Sequence, residues 1–80
     1  MAKNYAAVGE CPVCHQGRTL IGREDVTGTL FVICEECESE WASPDDAKMP
    51  ERSSLGRFSK YTVLERDEVA GHPWSAALVR

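Results

Sequence analysis

The residues with the strongest chemical character are four cysteines, placed as Cys11-Pro12-Val13-Cys14 and Cys34-Glu35-Glu36-Cys37 with nineteen residues between the pairs. They are all the cysteines in the chain. A two-residue gap lets both thiolates of a pair turn onto one cation from a tight knuckle, and two knuckles complete a tetrahedral shell. This is zinc-ribbon spacing, with Cys11, Cys14, Cys34 and Cys37 as the ligands of one structural Zn²⁺. Four protein sulfurs leave no open position for water or substrate, so zinc catalysis is not expected. Residue type leaves iron open, because a rubredoxin-like electron carrier uses the same ligand set.

Two disulfides in a secreted domain are the competing chemistry. No apolar run of signal-peptide length follows Met1-Ala2-Lys3-Asn4, and no stretch reaches membrane-spanning length. The expectation is therefore a cytoplasmic protein whose thiols stay reduced and serve as metal ligands. The remaining residues offer little for catalysis. His15 and His72 are the only histidines; His15 adjoins a knuckle that already has its sulfurs, and His72 lies in a Gly-His-Pro break. No nucleophile motif, glycine-rich phosphate loop or acid/base carboxylate pair is present. The reading is a non-enzyme.

The elements that must position the cysteines follow from the intervening residues. Pro12 fixes one φ inside the first knuckle. His15 stands where such knuckles often carry glycine, and histidine is among the side chains that tolerate positive φ. Thr19–Gly22 and Thr29–Ile33 are β-rich runs. The polar segment 23–28 between them ends in Gly28, as a hairpin loop should. The hairpin folds the chain back so that Cys34 and Cys37 arrive beside Cys11 and Cys14. Before it, Tyr5-Ala6-Ala7-Val8 suits a strand or a packed tail. After it, Trp41 is placed to cover the sulfurs.

Ser43-Pro44-Asp45-Asp46 reads as a helix start, with serine as N-cap, proline at the first position and acids at the positive end of the dipole. Met49-Pro50 ends that helix. Residues 50–60 read as a linker with contacts at Leu55 and Phe58. Thr62 with Glu65 reads as a capping box for a helix over 63–70 that turns Leu64 and Val69 inward. Gly71 and Pro73 stop it, and 73–79 can make another turn that docks Trp74 and Leu78. The fold class expected is small α+β: one domain, residues 1–80, with a zinc ribbon over 8–42 and a helical extension over 43–80 packed on it.

Eighty residues bury a limited core. A core of this size nets only about 3–5 kcal/mol, whereas a structural zinc supplies on the order of 10 kcal/mol. The metal is expected to decide whether residues 8–42 fold. Thirteen acids against nine bases give a net charge of −4. Four thiolates around one Zn²⁺ make the loaded chain more acidic, at roughly −6. Such a charge suits a basic protein partner better than a phosphate backbone. Glu35, Glu36, Glu38, Glu40, Asp45 and Asp46 fall within twelve residues with no base among them, and form the candidate partner-binding surface. Arg52, Arg57 and Lys60 are the only encouragement for the alternative, a nucleic-acid or transcription-associated ribbon.

The run Phe31 to Asp45, with Cys34-x-x-Cys37-Glu38-x-x-Trp41-x-Ser43-Pro44, resembles small bacterial zinc-ribbon proteins whose second knuckle reads C-x-x-C-E-x-x-W followed by S-P-E/D. Thr62-Val63-Leu64-Glu65 through Gly71 and Trp74 is similar to the closing helix of that group, although His72-Pro73 displaces the tryptophan from the glycine. Some members resemble immunity proteins that neutralise a cognate bacterial toxin, and those directed at nucleases are commonly acidic. The resemblance implies a non-catalytic ribbon that binds a basic toxin domain, away from membranes.

Overall fold

The computed structural model describes residues 4–79; residues 1–3 and 80 of the expected domain lie outside the described residues. Five antiparallel strands form one sheet: β1 (Ala7–Glu10), β2 (Arg18–Glu24), β3 (Leu30–Cys34), β4 (Glu40–Trp41) and β5 (Tyr61–Val63). The hairpin expected from composition is β2–β3, with Leu20 opposite Ile33 and Gly22 opposite Phe31. It runs two residues further than the β-rich run suggested, through Arg23 and Glu24. Thr27 and Thr29 hydroxyls, bonded at 2.7 Å, tie its loop together.

One edge of β2 is shared by two partners. β1 pairs with its first half, Arg18 to Leu20, and β5 with its second half, Gly22 to Glu24. Ile21 sits at the junction, donating its N–H to Ala6 and accepting from Leu64. Strands β1 and β5, distant along the chain, therefore close one sheet edge together. β4 covers the other side of β3, with Val32 opposite Trp41 and Ile33 opposite Glu40.

Side-chain alternation divides the sheet into two faces. Ile21, Val32, Cys34 and Trp41 point inward, where they meet Ala47, Leu64, Val69 and Trp74 in two adjoining apolar clusters. Leu20, Gly22, Phe31, Ile33 and Val63 lie on the opposite face. There the ring of Phe31 crosses Gly22, which has no side chain to obstruct it.

The helical extension expected over 43–80 is the principal correction. Among the described residues helix is confined to one four-residue α-turn, α1 (Arg66–Val69), and three short 3₁₀ turns at Asp46–Lys48, Pro50–Arg52 and Pro73–Ala77. Ser43 does accept the Asp46 N–H, at 3.2 Å, but Pro50 stops the chain before an α-helix can propagate. Residues 61–63 are a strand that takes in Thr62, the expected cap, and Val63, the expected first helical residue, because a β-rich Tyr-Thr-Val run meets the open edge of β2. The capping box consequently moves three residues on: Glu68 accepts the Glu65 N–H at 2.9 Å. Leu64 and Val69 are buried, as expected for the inward pair. Gly71, at φ 88°, ends the segment.

Nor is 50–60 a plain linker. Ser54 pairs with Glu40 through two backbone hydrogen bonds of 2.8 and 2.9 Å. Phe58 stacks on Phe31 with centroids 4.0 Å apart, and Tyr61 meets the same ring edge-on at 5.4 Å. Leu55, the other contact expected there, is 72% exposed.

Candidate metal centre

β1 delivers Cys11 and β3 delivers Cys34, so the sheet sets both knuckles at one end of the hairpin. The two knuckles are the same turn built twice. The Val13 and Cys14 N–H groups donate to Cys11 Sγ at 3.4 and 3.5 Å, and those of Glu36 and Cys37 donate to Cys34 Sγ at 3.3 and 3.5 Å. Pro12 has no N–H to give, and none is needed at its position. Each turn closes on a residue with positive φ, His15 at 56° and Glu38 at 62°. His15 thus occupies the glycine-like position itself.

All four Sγ atoms lie within 4.8 Å of one another. Across the knuckles, Cys11 and Cys37 are 3.7 Å apart and Cys14 and Cys34 are 3.6 Å apart. A tetrahedron with metal–sulfur arms of about 2.3 Å has edges of about 3.8 Å. A disulfide requires a separation of about 2.05 Å, and the four cysteines are free. The cluster is therefore compatible with a zinc-ribbon site and could hold one metal ion.

Its electrostatics differ from one sulfur to the next. Backbone N–H groups aimed at sulfur stabilise the charged form. The Gln16 N–H is the largest influence on Cys14 and lowers its pKa, against burial. Burial is the largest influence on Cys37 and opposes its ionisation, yet hydrogen bonding to the Ser39 hydroxyl and backbone, with Cys34 and Cys11, together outweighs it and brings the thiol down to about 6. The Ser39 oxygen is 3.2 Å from Cys37 Sγ. Cys34, enclosed in the core, is raised by burial to about 12. A bound divalent cation would displace that proton, since a coordinating thiol is deprotonated outright.

Trp41 lies where the sequence placed it, buried against Cys11 and Cys34, with its indole N–H bonded to the Met49 carbonyl at 3.0 Å. Gly17 is the unanticipated part of the site. A Cβ there would fall 2.7 Å from Glu36 Cγ, 2.9 Å from its Cβ and 3.0 Å from Cys34 Sγ. The first knuckle thus closes against the second across a bare α-carbon. Ser39 was also missed; its only signal is its place two residues after Cys37.

The six acids do not form one surface. Glu35, Glu36, Glu38 and Asp45 are exposed. Glu35 is held by Arg18, which donates its Nε at 3.0 Å, its Nη2 at 3.3 Å and its backbone N–H at 2.8 Å. That pairing lowers the Glu35 pKa. Asp46 lies 3.9 Å from Arg52. Glu40 is 2% exposed and accepts the Arg57 N–H at 2.9 Å, so it cannot belong to an exposed cluster. Its alternation with Trp41 turns it through the sheet to the opposite face.

Neither histidine points at the sulfurs: His15 Nδ1 is 3.2 Å from Glu10, and His72 accepts the Trp74 N–H at 3.0 Å to cap a 3₁₀ turn. Arg57 lies over the Phe58 ring at 5.7 Å. Among the described residues no helix is long and apolar enough to cross a membrane.

No protein-family model, curated protein or solved structure matches this chain, and the resemblance to immunity-protein-like ribbons gains no support from those comparisons.

Proposed function

We propose that Cys11, Cys14, Cys34 and Cys37 hold one structural zinc ion, and that the ribbon so fixed is a non-catalytic protein that binds a basic protein partner. The supporting observation is the closed four-sulfur cluster, in which N–H donors already satisfy the sulfurs and Trp41 covers them. Zinc in such a shell contributes folding energy and cross-links β1 to the hairpin. Function then falls to the surface, and an acidic chain of net charge −4 favours a basic partner. A nuclease-type toxin domain is the sharpest version of that partner, on the strength of the Cys34–Asp45 pattern.

Metal analysis of the full chain tests the first half of the proposal. One zinc per chain, a colourless sample and tetrahedral thiolate bands after cobalt substitution are the expected results. A red, iron-loaded sample would replace the structural reading with an electron carrier. Stripping the metal with a strong chelator is expected to abolish the β-sheet circular dichroism of residues 8–42. The second half is tested by affinity capture of a partner that is basic and whose complex weakens with salt.

A further inference from the structure

The sheet face opposite the Trp41 cluster carries Leu20, Phe31 and Ile33, all buried. Phe58 closes the end that holds Phe31. The other end is a cleft of about 380 Å³, floored by Leu20 and Ile33 and walled by Tyr5, Tyr61 and Val63, with Glu35 and Glu38 at the rim. Both tyrosines are half-buried, and Tyr61 is braced by its edge-on contact with Phe31 at 5.4 Å.

Charge on this face is unbalanced. The Glu35 carboxylate is engaged by Arg18. Glu38 makes no ion pair among the described residues, and neither does the buried Glu40, whose donor is the Arg57 backbone N–H. Both carboxylates act on Tyr61: burial first, and then the charges of Glu38 and Glu40, raise its phenol pKa. A buried carboxylate without a cation is an electrostatic cost that an incoming positive charge relieves. The cleft therefore has aromatic walls, an apolar floor and unneutralised negative charge at one end.

We infer that this cleft receives an arginine side chain from the protein partner, its guanidinium lying between Tyr5 and Tyr61 and its charge met by Glu38, with Glu40 reinforcing the field from below. A planar, weakly hydrated guanidinium stacks on aromatic faces and pairs with carboxylate, whereas an ammonium ion is compact and strongly hydrated. The assignment rests on the reading of this chain as a protein-binding ribbon, and moves the contact from the acidic strip as a whole to the cleft rimmed by Tyr5, Tyr61 and Glu38.

The test uses the full ¹⁵N-labelled chain and the blocked tripeptide acetyl-Ala-Arg-Ala-amide, with matched lysine and citrulline peptides. The arginine peptide is expected to shift the amides of Leu20, Ile33, Glu38, Tyr61 and Val63, the lysine peptide to bind more weakly, and the uncharged citrulline peptide to leave them in place. Glu38→Gln should weaken binding about fivefold, while Asp45→Asn, outside the cleft, should leave it unchanged. Shifts that are absent, that are equal with citrulline, or that survive Glu38→Gln would overturn the inference. Should Glu38→Gln lose its amide dispersion, the salt dependence of arginine binding to the unaltered chain takes its place: binding that ignores salt refutes the role of charge. Zinc content is measured on the same samples. A folded, zinc-loaded chain that ignores arginine defeats only this inference; a zinc-free chain that binds it defeats only the structural-zinc reading.

Discussion

Replacement of Gly17 by alanine isolates the contact that brings the two knuckles together. Gly17 does not adopt positive φ, so the substitution adds no backbone strain of the left-handed kind. What it adds is one methyl group, 2.7 Å from Glu36 Cγ, 2.9 Å from Glu36 Cβ and 3.0 Å from Cys34 Sγ. Glu36 Cγ can swing away, because that side chain is exposed. Its Cβ is fixed to the backbone, and Cys34 Sγ is fixed by the cluster, so the knuckles must separate. Overpacking of this kind costs about 1–3 kcal/mol, which for a domain near this size lowers Tm by roughly 8–16 °C at the middle of that range.

The distinguishing readout is metal retention. Gly17→Ala should surrender its metal to a competing chelator more readily than the unaltered chain. Gly28→Ala serves as the control: Gly28 has φ 77° with nothing within 4 Å of an added Cβ. Its alanine variant should lose about 1–2 kcal/mol from backbone conformation alone, with metal retention untouched. Glu36→Gly removes two of the three contacts, so the cost of Gly17→Ala should shrink in that background, leaving a favourable coupling energy. A Gly17→Ala protein with unchanged Tm and unchanged metal retention would refute the close-approach argument.

Other consequences are more easily stated. Phe58→Ala removes the ring stacked 4.0 Å above Phe31 and should cost about 2 kcal/mol in chemical denaturation, less than a fully buried phenylalanine because Phe58 is half-buried. Arg18→Ala breaks an ion pair whose partners are partly solvated, and urea titration at neutral pH should register a loss below about 1 kcal/mol. Because Arg18 lowers the Glu35 pKa, that contribution is present above the ordinary carboxylate value of 4.5 and is lost as pH falls through the lowered folded value; a stability difference between Arg18→Ala and the unaltered chain that grew on acidification would contradict the pairing. Tyr61 has the opposite sign: its folded pKa lies above the ordinary 10.0, so folding stability should decline as pH rises above that value, and ultraviolet titration should show one phenol ionising late.

Much of the metal centre was legible in the chain because its geometry is local. The two-residue gaps specify both knuckles within a few residues, helped in the first by Pro12 and by His15, a residue tolerant of positive φ, whereas Glu38 takes the same conformation without that signal. The β-rich runs around a polar, glycine-terminated loop specify the hairpin for the same reason. Trp41, four residues past Cys37, had little choice but the core.

What the sequence did not determine depends on partners distant along the chain. Tyr61-Thr62-Val63-Leu64-Glu65 carries both a strand signal and a capping signal. The unpaired second half of β2 decides between them, and it lies more than thirty residues earlier. The acids Glu35, Glu36, Glu38, Glu40, Asp45 and Asp46 share a stretch of sequence but not a surface. Strand alternation buries Glu40, Arg18 neutralises Glu35 from across the sheet, and only tertiary structure sets Glu38 beside Tyr5 and Tyr61. The four cysteines announced themselves through spacing; Gly17, where the two knuckles meet, became visible only when the chain had folded, because close approach is a property of two segments and not of one.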